Sequence, residues 1–213
     1  MGFKALNKSD NTIYTLEYWE RKLPTVTPYC PVCDEVTDLR AEGSVAMRTH
    51  FYHSRGTDCP TIKKNRNKYA LLTPTTRDIE NGNNLICWTK VNIWHLYTKC
   101  KEILKNRLRF KEFSAMLEKA NEKKIWFYKN LSINTLPYVL IVNFGVFPKI
   151  DGRVEDVWHI FDKDMYGDDL FLQKNITHIW RVTESDLERI ELNYDTTKTG
   201  KHYVWKDLES FYK

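Results

Sequence analysis

Four residues of metal-ligand type, Cys30, Cys33, His53 and Cys59, fall within thirty positions near the amino end. A chain that gathers them onto one cation has most of its first sixty residues committed to a small stapled module. Cys30 and Cys33 form a Cys-x2-Cys knuckle in which Pro31 assists the turn, so both thiolates can face one ion. Nineteen residues separate Cys33 from His53 and five separate His53 from Cys59, with Gly56 allowing the second loop to bend. Three thiolates and one imidazole make a closed tetrahedral Zn²⁺ site with no position for water, so its expected work is structural. His50 leaves an alternative open: it could ligate beside His53 while Cys59 stays free, or sit behind the ligands. Five cysteines is an odd number, and three cluster beside two histidines, which favours metal over disulfides in a reducing compartment. Cys87 and Cys100 lack such company and are expected as small core residues.

The run Tyr29-Cys30-Pro31-Val32-Cys33, a β-like stretch into His50-Phe51-Tyr52-His53, and Cys59 resemble the amino-terminal region of the competence protein CoiA-like bacterial family. The resemblance covers about the first 60 residues. It implies DNA handling in a bacterium, a mobile element or a phage-defence system, with a nuclease domain of the PD-(D/E)xK type to follow. Such a nuclease needs an acidic residue and a Glu-x-Lys element on adjacent strands. Glu122-Lys123-Lys124 matches the letters in a helical stretch, and Glu20-Arg21-Lys22 lies before the knuckle. Asp162, Asp164, Asp168 and Asp169 lack the spacing of a calcium loop and are expected in a solvated turn. His95, His159, His178 and His202 have no partner near them in sequence. Neither a phosphate-binding Gly-x-x-x-x-Gly-Lys loop nor a Gly-x-Gly-x-x-Gly element occurs. No catalytic residue is assigned, and the balance leans away from an enzyme.

The net charge of +5 is unevenly placed. Residues 1–60 carry 7 basic and 8 acidic side chains, residues 61–129 carry 16 and 6, and residues 130–213 carry 10 and 14. The basic excess thus lies in the middle third, which suits a polyanion such as nucleic acid. Candidate phosphate contacts are Arg48, Arg55 and Lys63 around the metal loops, and Lys101, Lys105, Arg107, Arg109 and Lys111 on the helices that follow.

The expected fold is α+β: a small zinc-stapled, β-rich amino-terminal module over 1–72, then a larger mixed α+β domain over 85–213. Residues 3–18 are expected as a β-hairpin, with a short basic helix between Pro60 and Leu72 and a turn-rich linker at 73–84. Apolar positions predict one amphipathic helix over 86–108 and a second from Phe110 to about Lys124. Tyr138–Phe147, β-branched and aromatic, predicts a buried strand and turn. Strands are expected at Val157–Phe161 and Ile176–Val182. Ser185 and Glu188 suggest a capping box opening a short helix to Leu192, and a terminal helix is expected over Trp205–Tyr212.

The longest apolar run is far short of the roughly 20 residues of a membrane helix, and the amino end lacks a secretory h-region. A cytoplasmic location and no membrane partner are expected. Together these features describe a zinc-binding, non-catalytic DNA-binding or DNA-associated accessory protein, with DNA favoured over RNA and a larger protein partner possible. The alternatives are a metal-dependent nuclease with a divergent active site and a protein-interaction subunit without nucleic-acid affinity.

Overall fold

The computed structural model describes residues 2–40, 49–71, 73–163 and 176–193. The chain opens with the expected hairpin, β1 (Lys4–Asn7) paired antiparallel with β2 (Thr12–Thr15). A helix the sequence reading omitted follows at once: α1 (Leu16–Lys22) is capped by the Thr15 hydroxyl, which accepts from the Tyr18 amide. A second hairpin pairs β3 (Thr37–Arg40) with β4 (His50–His53). Backbone bonds from Phe51 to Gly2 and from Leu6 to Tyr29, each 2.8 Å, tie the two hairpins together. Ala5, Leu16, Trp19 and Phe51 form the small core between them. The basic stretch after Cys59 forms a 3-10 turn at Lys63–Tyr69.

Four helices come next: α2 (Ile79–Val91), α3 (Ile93–Ile103), α4 (Phe110–Glu122) and α5 (Leu136–Phe144). The single helix expected over 86–108 is two helices, and the first begins inside the expected linker. Asp78 caps it by accepting from the Asn81 amide at 3.0 Å. Asn92 ends it: its amide makes the last bond of the helix, to the Trp88 carbonyl, and its side chain donates to that same carbonyl, both at 2.9 Å, before α3 starts at Ile93. The expected α4 is present, opened by Glu112, whose carboxylate accepts from the Arg109 amide at 3.0 Å.

The strand expected at Tyr138–Phe147 is the helix α5 followed by a two-residue strand. Pro137 sits in its first turn, where no amide donor is needed, and Gly145 ends it at φ +90°. Residues Leu136 to Asn143 are all buried. A helix enclosed on every side shows no polar face, and its composition then reads like an interior strand.

The remaining sheet is antiparallel in the order β5 (Val146–Phe147), β6 (Val157–Ile160), β7 (His178–Val182), β8 (Leu187–Glu191). β6 and β7 match expectation. The helix expected after Ser185 is instead β8, because the Thr183 hydroxyl accepts from the Ser185 and Asp186 amides at 3.2 and 2.9 Å and closes a tight β7–β8 turn. The expected terminal helix lies outside the described residues.

The sheet is the middle of three layers. Val157, Phe161 and Ile179 face the main core built around α3, α4 and α5. Trp158, Ile160, Trp180, Val182 and Leu187 face the other way and pack with Cys30, Val32 and Cys59. Alternation along β6 therefore serves two cores, and all four of its residues are buried. The ligand-bearing module rests on the sheet rather than standing apart from it. No helix among the described residues is long and apolar enough to cross a membrane.

Candidate metal centre and the adjoining cationic cleft

The ligand atoms of Cys30, Cys33, His53 and Cys59 all lie within 4.8 Å of one another and form a group that can hold a metal ion. Local backbone builds the knuckle. The Asp34 amide donates to the Cys30 carbonyl at 2.9 Å, the Cys30 amide to the Glu35 carbonyl at 2.8 Å, and Asp34 takes the left-handed conformation that closes the turn, at φ +61°. β4 delivers His53, whose Nε2 is 3.4 Å from Cys33 Sγ. The loop beyond delivers Cys59, 3.9 Å from Cys30 Sγ.

His50 does not belong to the group. It lies three residues before His53 on β4, so strand alternation turns it to the opposite face, where it is buried with its ring against Tyr52. Hydrogen bonds with Cys33 and Cys59, reinforced by burial, push the Cys30 thiol well up. Hydrogen bonds from Cys30 and Cys33 draw Cys59 down to about 3 against the opposing effect of its burial. Thr61 adds to that pull with its hydroxyl 3.1 Å from Cys59 Sγ.

Beside the metal group, the loop around Gly56 and the 3-10 turn wall a cleft of about 430 Å³. Its lining includes His53, Arg55, Thr61, Lys63, Lys64, Arg66, Trp158 and Glu184. Arg66 lies over Trp158, its guanidinium carbon 3.5 Å from the indole, and its Nη2 donates to the Thr61 carbonyl at 3.1 Å. Burial pulls its guanidinium down to about 10, so it remains a cation at neutral pH.

The structure thus brings Arg55 and Lys63 together on one cleft. Arg48 lies outside the described residues. On the helical side, Lys105 pairs with Glu188 at 2.6 Å and Arg109 with Glu112 at 3.5 Å. Lys101 is half-buried in the last turn of α3, and Arg107 and Lys111 are exposed. Arg66, Lys64 and Trp158 were not singled out as site residues from sequence. The basic run Lys63-Lys64-Asn65-Arg66 directly after the last ligand was the available signal for the first two, whereas nothing local points to Trp158.

Of the other candidates, Asp162 is held in place by Trp180 Nε1, which donates to it at 2.5 Å, and by His178 Nε2 at 3.2 Å. Burial pushes its carboxyl up, but His178 and Trp180 outweigh that and hold it below the usual range. Asp164, Asp168, Asp169 and His202 lie outside the described residues. Glu20-Arg21-Lys22 lies on α1, and Glu122-Lys123-Lys124 spans the end of α4. Cys100 is a core residue as expected, but Cys87 is exposed on α2. Searches against protein-family models, curated proteins and solved structures found no match.

Proposed function

We propose that this chain is a zinc-stapled, non-catalytic nucleic-acid-binding accessory protein. Zinc is supported by the ligand types and by the spacing of the group. Tetrahedral geometry with zinc bonds of about 2.3 Å to sulfur and 2.0 Å to nitrogen gives edges of about 3.8 Å between sulfurs and 3.5 Å from sulfur to nitrogen. Of the six ligand–ligand distances, all within 4.8 Å, those of 3.9 Å for Cys30–Cys59 and 3.4 Å for Cys33–His53 match these edges. Four protein ligands leave no open position, so the metal shapes the loops and does no chemistry.

The observation that carries the nucleic-acid reading is the gathering of Arg55, Lys63, Lys64 and Arg66 on a cleft that shares His53 with the metal group. Cations from both sides of Cys59 converge there because the metal ties the loops that bear them. DNA is favoured over RNA by the resemblance of the amino-terminal motif to the CoiA-like family, which also suggests bacterial or mobile-element DNA handling in the cytoplasm.

The test is fluorescence anisotropy of zinc-loaded protein with labelled single- and double-stranded DNA and RNA across a salt series. Binding should weaken as salt rises, with a log–log slope of about −0.7 to −0.9 per phosphate contacted. The double variant K63E/K64E should bind far more weakly. Absence of binding at low salt to all four probes would overturn the reading.

A further inference from the structure

Several cations of this protein are held by carboxylates. Lys4 pairs with Asp186, Lys8 with Asp34, Lys68 with Asp58, Lys163 with Glu35 and Arg153 with Glu112. The four around the cleft are not: among the described residues no carboxylate forms an ion pair with Arg55, Lys63, Lys64 or Arg66. Lys68, in the same 3-10 turn, is instead paired with Asp58. Glu184 is the one carboxylate on the lining, and it and Asp156 act on Arg66 from a distance without forming an ion pair with it.

Arg66 is also fixed before any ligand arrives. Its guanidinium is held by the Thr61 carbonyl and by Trp158, while Nε and Nη1 have no hydrogen-bond partner among the described residues. Nε and Nη1 are screened from solvent, so what Arg66 offers an anion in the cleft is its fixed positive charge rather than those two donors.

The aromatic side chains on the lining are already covered. Arg66 occupies Trp158, which is only 5% exposed. The Arg40 guanidinium lies 3.6 Å from the Tyr52 ring, and Phe51 is buried edge-on against Trp19. Trp158 and Phe51 offer no free face on which a nucleobase could stack, and Arg40 occupies one face of Tyr52.

We infer that the cleft is a phosphate-group site anchored by Arg66, with Lys63 and Lys64 closing over the anion, and that it takes hold of a strand by its backbone without reading bases. The strand part of this inference rests on the function proposed above; the phosphate part does not. A free phosphate compound offers the same chemistry, so the test separates the two sources.

The full-length, zinc-loaded protein is titrated with labelled dA, dT and dC homopolymers and an abasic strand of equal length, and separately with pyrophosphate by calorimetry. Affinity for the four strands should agree within about threefold, since phosphate contacts carry no sequence information. R66K, which keeps the charge but loses the planar fork, should weaken binding about tenfold, and K64Q, an exposed change, should flatten the salt slope by about one. Metal content and circular dichroism of each variant check folding.

Pyrophosphate that binds and displaces the strands would support the inference with strands as its source. Strand binding with strong base preference, or unmoved by both R66K and K64Q, would overturn the inference and leave nucleic-acid binding standing. Pyrophosphate binding lost in K64Q with no strand bound would keep the phosphate site, assign it to a free phosphate compound and remove the proposed function. Binding of neither would remove both.

Discussion

Thr61 accepts from Arg66 Nη2 through its carbonyl at 3.1 Å, while its hydroxyl lies 3.1 Å from the sulfur of Cys59. A member of the candidate metal group and the floor of the cationic cleft are therefore joined through one residue. Cys30 and Cys59 also pack against Trp158 and Val182 of the sheet, so the metal group holds both the loops and their seat on the rest of the fold.

Metal removal should consequently act on stability and on the cleft together. Chelation under reducing conditions is expected to lower the melting temperature markedly, because structural zinc supplies on the order of 10 kcal/mol in small modules, and to weaken nucleic-acid binding in parallel. H53A should lose the metal, whereas H50Q should retain one equivalent, since His50 faces away from the group. Metal analysis of the two variants checks this, and retention of a full equivalent by H53A would contradict the ligand set.

Stability should fall in acid through His159. The ring is buried beside Phe147, paired across the sheet with Arg181, and neither nitrogen has a hydrogen-bond partner among the described residues. Burial, aided by Arg181, pulls its pKa down from 6.5 to about 3. The unfolded chain thus takes up a proton below about pH 6.5 that the native state refuses. Stability from this group is fully present above that pH and is lost at up to about 1.4 kcal/mol per pH unit toward pH 3. H159L should flatten the acid limb of a urea-stability profile, and an unchanged slope would speak against it.

Arg153 and Glu112 form a buried pair, 3% and 8% exposed, with Nη2 2.5 Å from Oε1. Arg153 also donates to the carbonyls of Pro148 and Arg107, which ties the turn before β6 to the start of α4. Removing only the cation with R153M should cost about 3–5 kcal/mol, because the carboxylate is left buried with its charge. The double variant R153M/E112Q should recover a substantial part of that loss in urea denaturation.

Gly82 offers a reversal of helix propensity. Alanine in a helix interior normally gains about 1 kcal/mol over glycine. Here a Cβ would collide with Cδ1 and Cε1 at the edge of the Phe127 ring, so G82A should destabilise by about 1–3 kcal/mol through overpacking. Adding F127L should restore much of the loss; a stabilised G82A would show that the ring moves aside freely.

The metal group was legible in the sequence because its signal is chemical identity at short spacing, and the first hairpin and α4 because turn residues and helical period act locally. His50 could also have been set aside from sequence, since two residues three apart on a strand face opposite ways.

Other elements depended on surroundings that no local pattern encodes. Leu136–Phe144 is apolar all round because other elements enclose it, so its residues carry no period that separates helix from strand. Ser185 and Glu188 have the letters of a helix cap, but Thr183 takes the Ser185 amide that Glu188 would have to accept in such a cap. Most of all, the sequence determined where the basic residues lie, and only the tertiary structure decided which remain unmatched. Lys105 and Arg109 form ion pairs with Glu188 and Glu112, whereas Lys63 and Arg66 meet Trp158, ninety-two residues beyond Arg66, and with Lys64 form no ion pair among the described residues. Pairing of charges is a property of distance in space, which the order of residues along the chain does not contain.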